Sequence, residues 1–263
     1  MVRLPYSPPT ASCWHADLMQ LTPLGRWSQW PLPPQLQADL ATVVSFADEP
    51  ACGYELHIHT QGVVPTRSCN WHDLYNALIW SLFPASKQAM NGAHMAALGA
   101  GQGRGPRRDA LTLFDESGVL LVTEDAAVFA ELNTHQWSAL LWLRRHQWLD
   151  GQVRPYLFGH ALYESLHQPF AGLCAKVLGV LVDADFTQRP LAERYRLLDL
   201  RLAQAIASGQ VLHSPRWLAP LPLLGIPGAV AANAEAGYYC GDQFRPLRRP
   251  RPGFDCLDLR LPP

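Results

Sequence analysis

Two periods of apolar and polar positions run along this chain, and they predict most of its elements. Helical spacing occupies "PQLQADLATVVSFA" (34–47), "CNWHDLYNALIWSLFP" (69–84) and "ASKQAMNGAHMAAL" (85–98). It returns around 125–133 and 134–148, in "GHALYESLHQPF" up to the stop at Pro169, and most strongly in 190–208 with Pro190 at its start. Strict alternation in "GYELHIHTQG" (53–62) predicts a strand, and "RPYLF" (154–158) a shorter one. Two apolar runs joined through Asp115-Glu116-Ser117-Gly118 predict a β-hairpin near 109–123. Residues 1–34, rich in Pro and Trp, predict an irregular N-terminal arm, and 211–263, with Pro at many turns, an extended wrap. No repeat or linker divides the chain. The expectation is one α+β domain, helix-dominated, with its helical core over 35–210.

Within that frame "NWHDLYNALIW" is the stretch that most needs explaining. Trp71, Leu74, Tyr75, Leu78, Ile79, Trp80, Leu82 and Phe83 point in every direction at about 100° per residue, so the helix is predicted buried all round. His72, Asp73 and Asn76 must then find partners inside, because an unsatisfied buried polar group costs about 1–3 kcal/mol. Asn70 suits the N-cap, and Asp73 stands at the capping-box position three residues on. His72 and Asn76 share a face one turn apart, and they either clamp backbone or line a pocket.

Composition narrows the classes. Of 263 residues, 48% are hydrophobic and 16% charged, enough apolar content for a sizeable core. The formal net charge of −1 gives no global pull toward nucleic acid or an anionic membrane. Prolines interrupt the amino end where an export signal needs an apolar run, and no stretch has the length of a membrane span, so a cytoplasmic location is expected. The six cysteines are scattered without a C-x-x-C pair and read as reduced thiols. Trp137, Trp142 and Trp148, with Arg144, Arg145 and His146 between them, would suit a core with a wet rim better than a base-stacking surface, and no nucleic-acid module is visible.

Three clusters carry candidate chemistry. In "GHALYESLH", His160, Glu164 and His167 fall at i, i+4 and i+7. A His and a carboxylate one turn apart make a two-ligand face, and His72 is the natural third donor, giving a His72, His160, Glu164 set for zinc or iron. The alternative is that Glu164 merely orients His160, with His167 exposed at the helix end. In "GAGQGRGPRRD", Gly99, Gly101, Gly103 and Gly105 permit an anion nest, and Arg104, Arg107 and Arg108 supply charge beside Asp109. No Lys-Ser/Thr and no helix is expected directly after those glycines, which excludes a Walker loop. Glu55, His57 and His59 are expected on a solvent-facing strand edge, and Cys69 has no visible oxyanion partner. Asp115, in the expected hairpin turn, is a lesser acid–base candidate.

The stretches "VPTRSCNWHDLYNALIW", "RRDALTLFDESG", "FGHALYE", "PLPLLGIPG" and "QFRP", in that order, resemble a proteobacterial family known as domain-of-unknown-function family 3025. The likeness runs from about Tyr54 to Arg249, departing at Ala85, where the family pattern implies Arg. It implies no activity. It does imply a family built around His72, Asp73, Asn76, Arg108, Asp109, Asp115, His160 and Glu164.

The functional expectation is a buried cluster formed where the helix of His72 meets that of His160. His160 would serve as base or ligand, with His72, Asp73, Asn76 and Glu164 around it. Arg107, Arg108 and Asp109 would bind a small anionic substrate, with hydrolysis as the least specific reaction. The rival from another class is an interaction protein in which the same network is an internal clamp.

Overall fold

Helical spacing is realised where apolar side chains recur every turn. The computed structural model describes residues 6, 13–48, 53–99 and 105–260. The N-terminal part contributes α1 (Ala16–Leu21) and α2 (Pro33–Asp39). A parallel pair, β1 (Ser45–Ala47) with β2 (Val63–Pro65), then brackets α3 (Tyr54–Gln61). Next come α4 (Trp71–Leu82), α5 (Pro84–Gly99) and α6 (Pro106–Ser117), which runs straight into β3 (Gly118–Thr123). α7 (Ala127–Asn133), a π-helical segment (Ser138–Leu143) and α8 (Arg145–Leu149) lead to β4 (Val153–Leu157). α9 (His160–Ser165), β5 (Cys174–Leu181), α10 (Leu191–Ser208), β6 (Ala219–Pro222) and β7 (Cys256–Asp258) complete the order. The class is α+β and helix-dominated.

The larger sheet runs β4-β3-β5, and β6 and β7 share the far edge of β5. β3 lies parallel to β5 and antiparallel to β4. β6 pairs antiparallel with Cys174–Val177, and β7 parallel with Gly179–Leu181. The proline-rich tail therefore supplies two edge strands, where Pro220 and Pro222 cost least because an edge needs fewer donors. Every residue of β3 is buried, and α6 packs against both β3 and β5. Among the described residues no helix is long and apolar enough to cross a membrane.

Three local expectations are corrected. Residues 106–117 are a helix rather than the first arm of a hairpin. Pro106 opens it, and Ala110, Leu111 and Phe114 form one buried helical stripe, so Asp115 and Glu116 sit on a helix and not in a turn. That helix also follows the glycine-rich segment closely; Gly101, Gly103 and Arg104 of that segment lie outside the described residues, as do 1–5 and 7–12 of the arm. Residues 54–61 are helical too, bounded by Gly53 and Gly62 in the left-handed region, with Ile58 the buried position. Finally, the 34–47 helix ends at Asp39, and Ser45–Ala47 is strand.

α4 is as apolar as its sequence demands: Asn70 accepts the Asp73 N–H at 3.0 Å, and nine positions from Asp73 to Leu82 are buried. Phe83 alone separates it from α5. The first turn of α5 is held from a distance. Asp199 of α10 accepts the amides of Ala85 (3.0 Å) and Ser86 (2.7 Å), and Ser86 Oγ donates to the Asp199 carbonyl at 2.9 Å. The tryptophans behave as core: Trp137 and Trp148 are buried, donating to the carbonyls of Arg245 and Leu140, and Arg144 is taken up by Glu131.

Candidate functional site

Two glycines set the site. The amide of Gly159 donates to the carbonyl of Gly118 at 2.8 Å, so the start of α9 rests on the end of α6. A Cβ on Gly159 would lie 2.5 Å from Gly118 N and from Ser117 Cα, a space that only glycine leaves open. This contact places His160, first residue of α9, against Asp115 and Glu116 in the last turn of α6. α4 packs beside α9 and delivers His72 from its own first turn.

His72 Nε2 and His160 Nε2 meet at 3.1 Å, with the rings 72° apart. Glu116 Oε2 is 3.6 Å from His160 Nε2, and one ligand atom from each of the three residues lies within 4.8 Å of the others. The far nitrogens face carboxylates: His72 Nδ1 stands 3.3 Å from Glu164 and His160 Nδ1 3.9 Å from Asp115. A carboxylate only accepts, so Glu164 favours the proton on His72 Nδ1 and a lone pair on His72 Nε2; His160 Nδ1 is buried without a hydrogen-bond partner, which leaves His160 Nε2 to meet that lone pair. Burial drives the His160 pKa down to about 4, so this imidazole is neutral at pH 7. Burial also raises Glu116. Two imidazole nitrogens and a carboxylate thus converge at one point.

Behind them Lys87, from α5, is 4% exposed and donates to Asp115 at 2.5 Å and to Asn76 Oδ1 at 2.9 Å. Burial raises Asp115 most, but its basic neighbours, Lys87 first and His160 and His94 after it, together outweigh burial and hold the carboxyl below the usual range. Asn76 Nδ2 donates to Tyr54 Oη at 2.8 Å, and burial pushes the Tyr54 phenol up. An open cleft of about 450 Å³ lies over these groups, within the size range of small-molecule sites.

The structure brings His72, His160 and Glu164 together as the sequence suggested, but with different partners. Glu164 touches the outer nitrogen of His72, half exposed, while Glu116 supplies the carboxylate beside the two Nε2 atoms. Asp73 lines the cleft, yet it is engaged by Arg67 through Nε (2.8 Å), Nη2 (2.9 Å) and backbone N (2.7 Å); it does not close a capping box on Asn70. Arg107 and Asp109 do not line this cleft. Arg107 donates instead to the Ile206 carbonyl in the last turn of α10, a position suited to a cation. Arg108 borders a separate depression along α5. His167 is exposed, with its ring nitrogen 2.7 Å from Tyr75 Oη.

Sequence reading passed over Lys87, His94, Tyr54, Arg67 and the role of Glu116, and Glu55, expected on a solvent-facing strand edge, stands on a helix and lines the cleft. A signal existed for two groups: Lys87, Asn91 and His94 fall at i, i+4, i+7 in α5, and Thr112, Asp115 and Glu116 at i, i+3, i+4 once 106–117 is read as helix.

Neither curated proteins nor solved structures yield a significant match to this chain. One family model does match, over residues 43–248, most of the chain and all of the site just described. The chain belongs to the DUF3025 family of proteins of unknown function.

Proposed function

We propose that the cleft is a catalytic metal site in which His72 Nε2, His160 Nε2 and Glu116 hold one divalent transition ion. The observation that carries this is the pair of Nε2 atoms 3.1 Å apart, with a ligand atom of Glu116 within 4.8 Å of both histidines. Two nitrogens on a tetrahedral zinc, each about 2.0–2.1 Å from it, stand about 3.3 Å from each other. Glu164, 3.3 Å from His72 Nδ1, has the placement that fixes tautomer and ring orientation in histidine-ligated sites. Two His and one carboxylate suit zinc or iron and leave coordination positions open. Such an ion lowers the pKa of a bound water, and metal-assisted hydrolysis is the reaction class that needs nothing further.

A clamp without chemistry is the second reading, and Asp73 and Asn76, both fully engaged inside the protein, favour it. The open cleft and the convergence of two imidazoles with Glu116 favour the metal. Metal analysis of the purified protein decides: one ion per chain is expected, lost in His160→Ala and His72→Ala. Glu164→Gln should weaken binding by only about 10–100-fold. A wild-type protein that takes up no zinc, iron or cobalt when titrated would retire the metal reading.

A further inference from the structure

The same cleft carries a second pair of titratable groups that the metal set leaves unused, Glu55 and His94. Glu55 comes from the first turn of α3 and is fixed by Asn91 of α5. Asn91 Nδ2 donates to Glu55 Oε2 at 2.6 Å and to the Glu55 carbonyl at 2.8 Å. The other oxygen, Oε1, stands 4.0 Å from His94 Nε2, beyond a hydrogen bond. The His94 side chain is 5% exposed, and its Nδ1 is buried with no hydrogen-bond partner. Such a group is costly to leave unmet, and it borders a cleft that a ligand can enter.

The charges around the cleft are unevenly matched. Asp73 is neutralised by Arg67, and Asp115 by Lys87. Glu116 belongs to the metal set. That leaves Glu55, 26% exposed, whose one basic neighbour within ion-pair distance among the described residues is His94. Burial lowers the His94 pKa, so His94 is a neutral ring at pH 7 and no counter-charge. The arginines that an anionic substrate would need do not line the cleft: Arg107 of α6 donates to the Ile206 carbonyl of α10, and Arg108 borders the other depression.

We infer that Glu55, with His94 beside it, anchors a cationic nitrogen, ammonium or guanidinium, of a substrate whose reacting group sits over His72, His160 and Glu116. An ammonium there would donate to Glu55 Oε1, beside the Nε2 edge of the His94 ring. The inference rests on the metal reading above and replaces the anionic substrate expected from the sequence.

The test uses hydroxamates, which carry their own metal-binding head, on full-length protein whose ion content has first been measured. Lack of a bound ion at that step is failure of the metal reading alone. On stoichiometrically loaded protein, three series of increasing chain length are compared by calorimetry: ω-amino, plain alkyl and ω-carboxy hydroxamates. At the best length the amine form should bind about tenfold tighter than the alkyl form, the scale of one charge-assisted hydrogen bond. The carboxylate form should be weakest. Glu55→Gln, which keeps an acceptor for Asn91, should erase the amine advantage and leave the alkyl affinity and ion content unchanged. Equal amine and alkyl affinities at every length, tighter carboxylate binding, an advantage surviving in Glu55→Gln, or no binding by any series overturns the inference. Should that variant not fold, the comparison of the three series on wild-type protein decides.

Discussion

Asp199→Ala is the perturbation whose cost can be worked most directly from the structure. Asp199, 4% exposed on α10, caps the first turn of α5 from outside the helix, accepting two amides with one oxygen each. Loss of an ordinary N-cap costs about 1 kcal/mol, up to about 2. Here two donors are stranded, and Ser86 is fully buried, so water does not easily replace the carboxylate; each such donor costs about 1–3 kcal/mol. Allowing for relaxation of the turn, the expected loss is about 3 kcal/mol. Asp199→Asn keeps the volume and one acceptor but turns an NH₂ toward one amide, and should lose about half as much. Urea unfolding followed by tryptophan fluorescence reads this as a midpoint shift of about 1 M at a slope near 3 kcal/mol/M. Burial raises the Asp199 pKa despite the amides, so its ionised form carries a folding cost. That cost is absent below the unfolded pKa of about 3.9 and grows as pH rises through the folded value. Wild type should therefore gain on Asp199→Asn as pH falls through that window. If both variants unfold within about 0.5 kcal/mol of wild type at pH 7, α5 is not held by this contact and the reasoning fails.

Two further perturbations test the elements that assemble the site. Lys87→Met leaves Asp115 buried without its cation and should cost about 3–5 kcal/mol, most of it recovered when Asp115→Asn is added; a single variant as stable as wild type in urea would show that the pair is not coupled. Gly159→Ala forces a Cβ against the backbone of Ser117 and Gly118 and should cost about 1–3 kcal/mol while weakening metal uptake, because His160 and Glu116 flank the contact. Gly92→Ala in the interior of α5, with nothing near its Cβ, is the matched control and should stabilise by about 0.5–1 kcal/mol with metal uptake unchanged.

The sequence carried those parts of the fold whose signal is local. α4 was readable because Asn70 caps it and its apolar residues leave no exposed face; α10 was readable because one long stripe is apolar and Pro190 opens it. The helix over 106–117 was not, because "DESG" before an apolar run carries the same composition as a hairpin turn. Only the sheet partners of β3, one forward at β4 and one parallel at β5, show that Gly118 starts a strand and does not turn a chain. The meeting of His72 and His160 was inferred from the surplus of polar groups in an apolar helix and matches the geometry. The place of Glu116 beside them was out of reach. It depends on the close approach at Gly159 and Gly118, a long-range contact with no periodic trace.

The polar residues of α4 separate by whether their hydrogen-bonding capacity is met. Asp73 receives three donors from Arg67, and Asn76 spends its amide on Tyr54 and its oxygen on Lys87; both are complete without a ligand. Their burial fixes the loop before α4 and the floor of the cleft. His72 is different, because the carboxylate on one side of its ring favours a lone pair on the other, and that lone pair faces His160 Nε2 at 3.1 Å. A neutral His160 can meet it with an Nε2–H, and a metal ion can meet both nitrogens at once. Glu116, 3.6 Å from His160 Nε2, adds a donor to an ion and gains nothing from the hydrogen bond between the rings. On the metal reading proposed above, the same helix does both jobs: Asp73 and Asn76 are the clamp, and His72 belongs to the site.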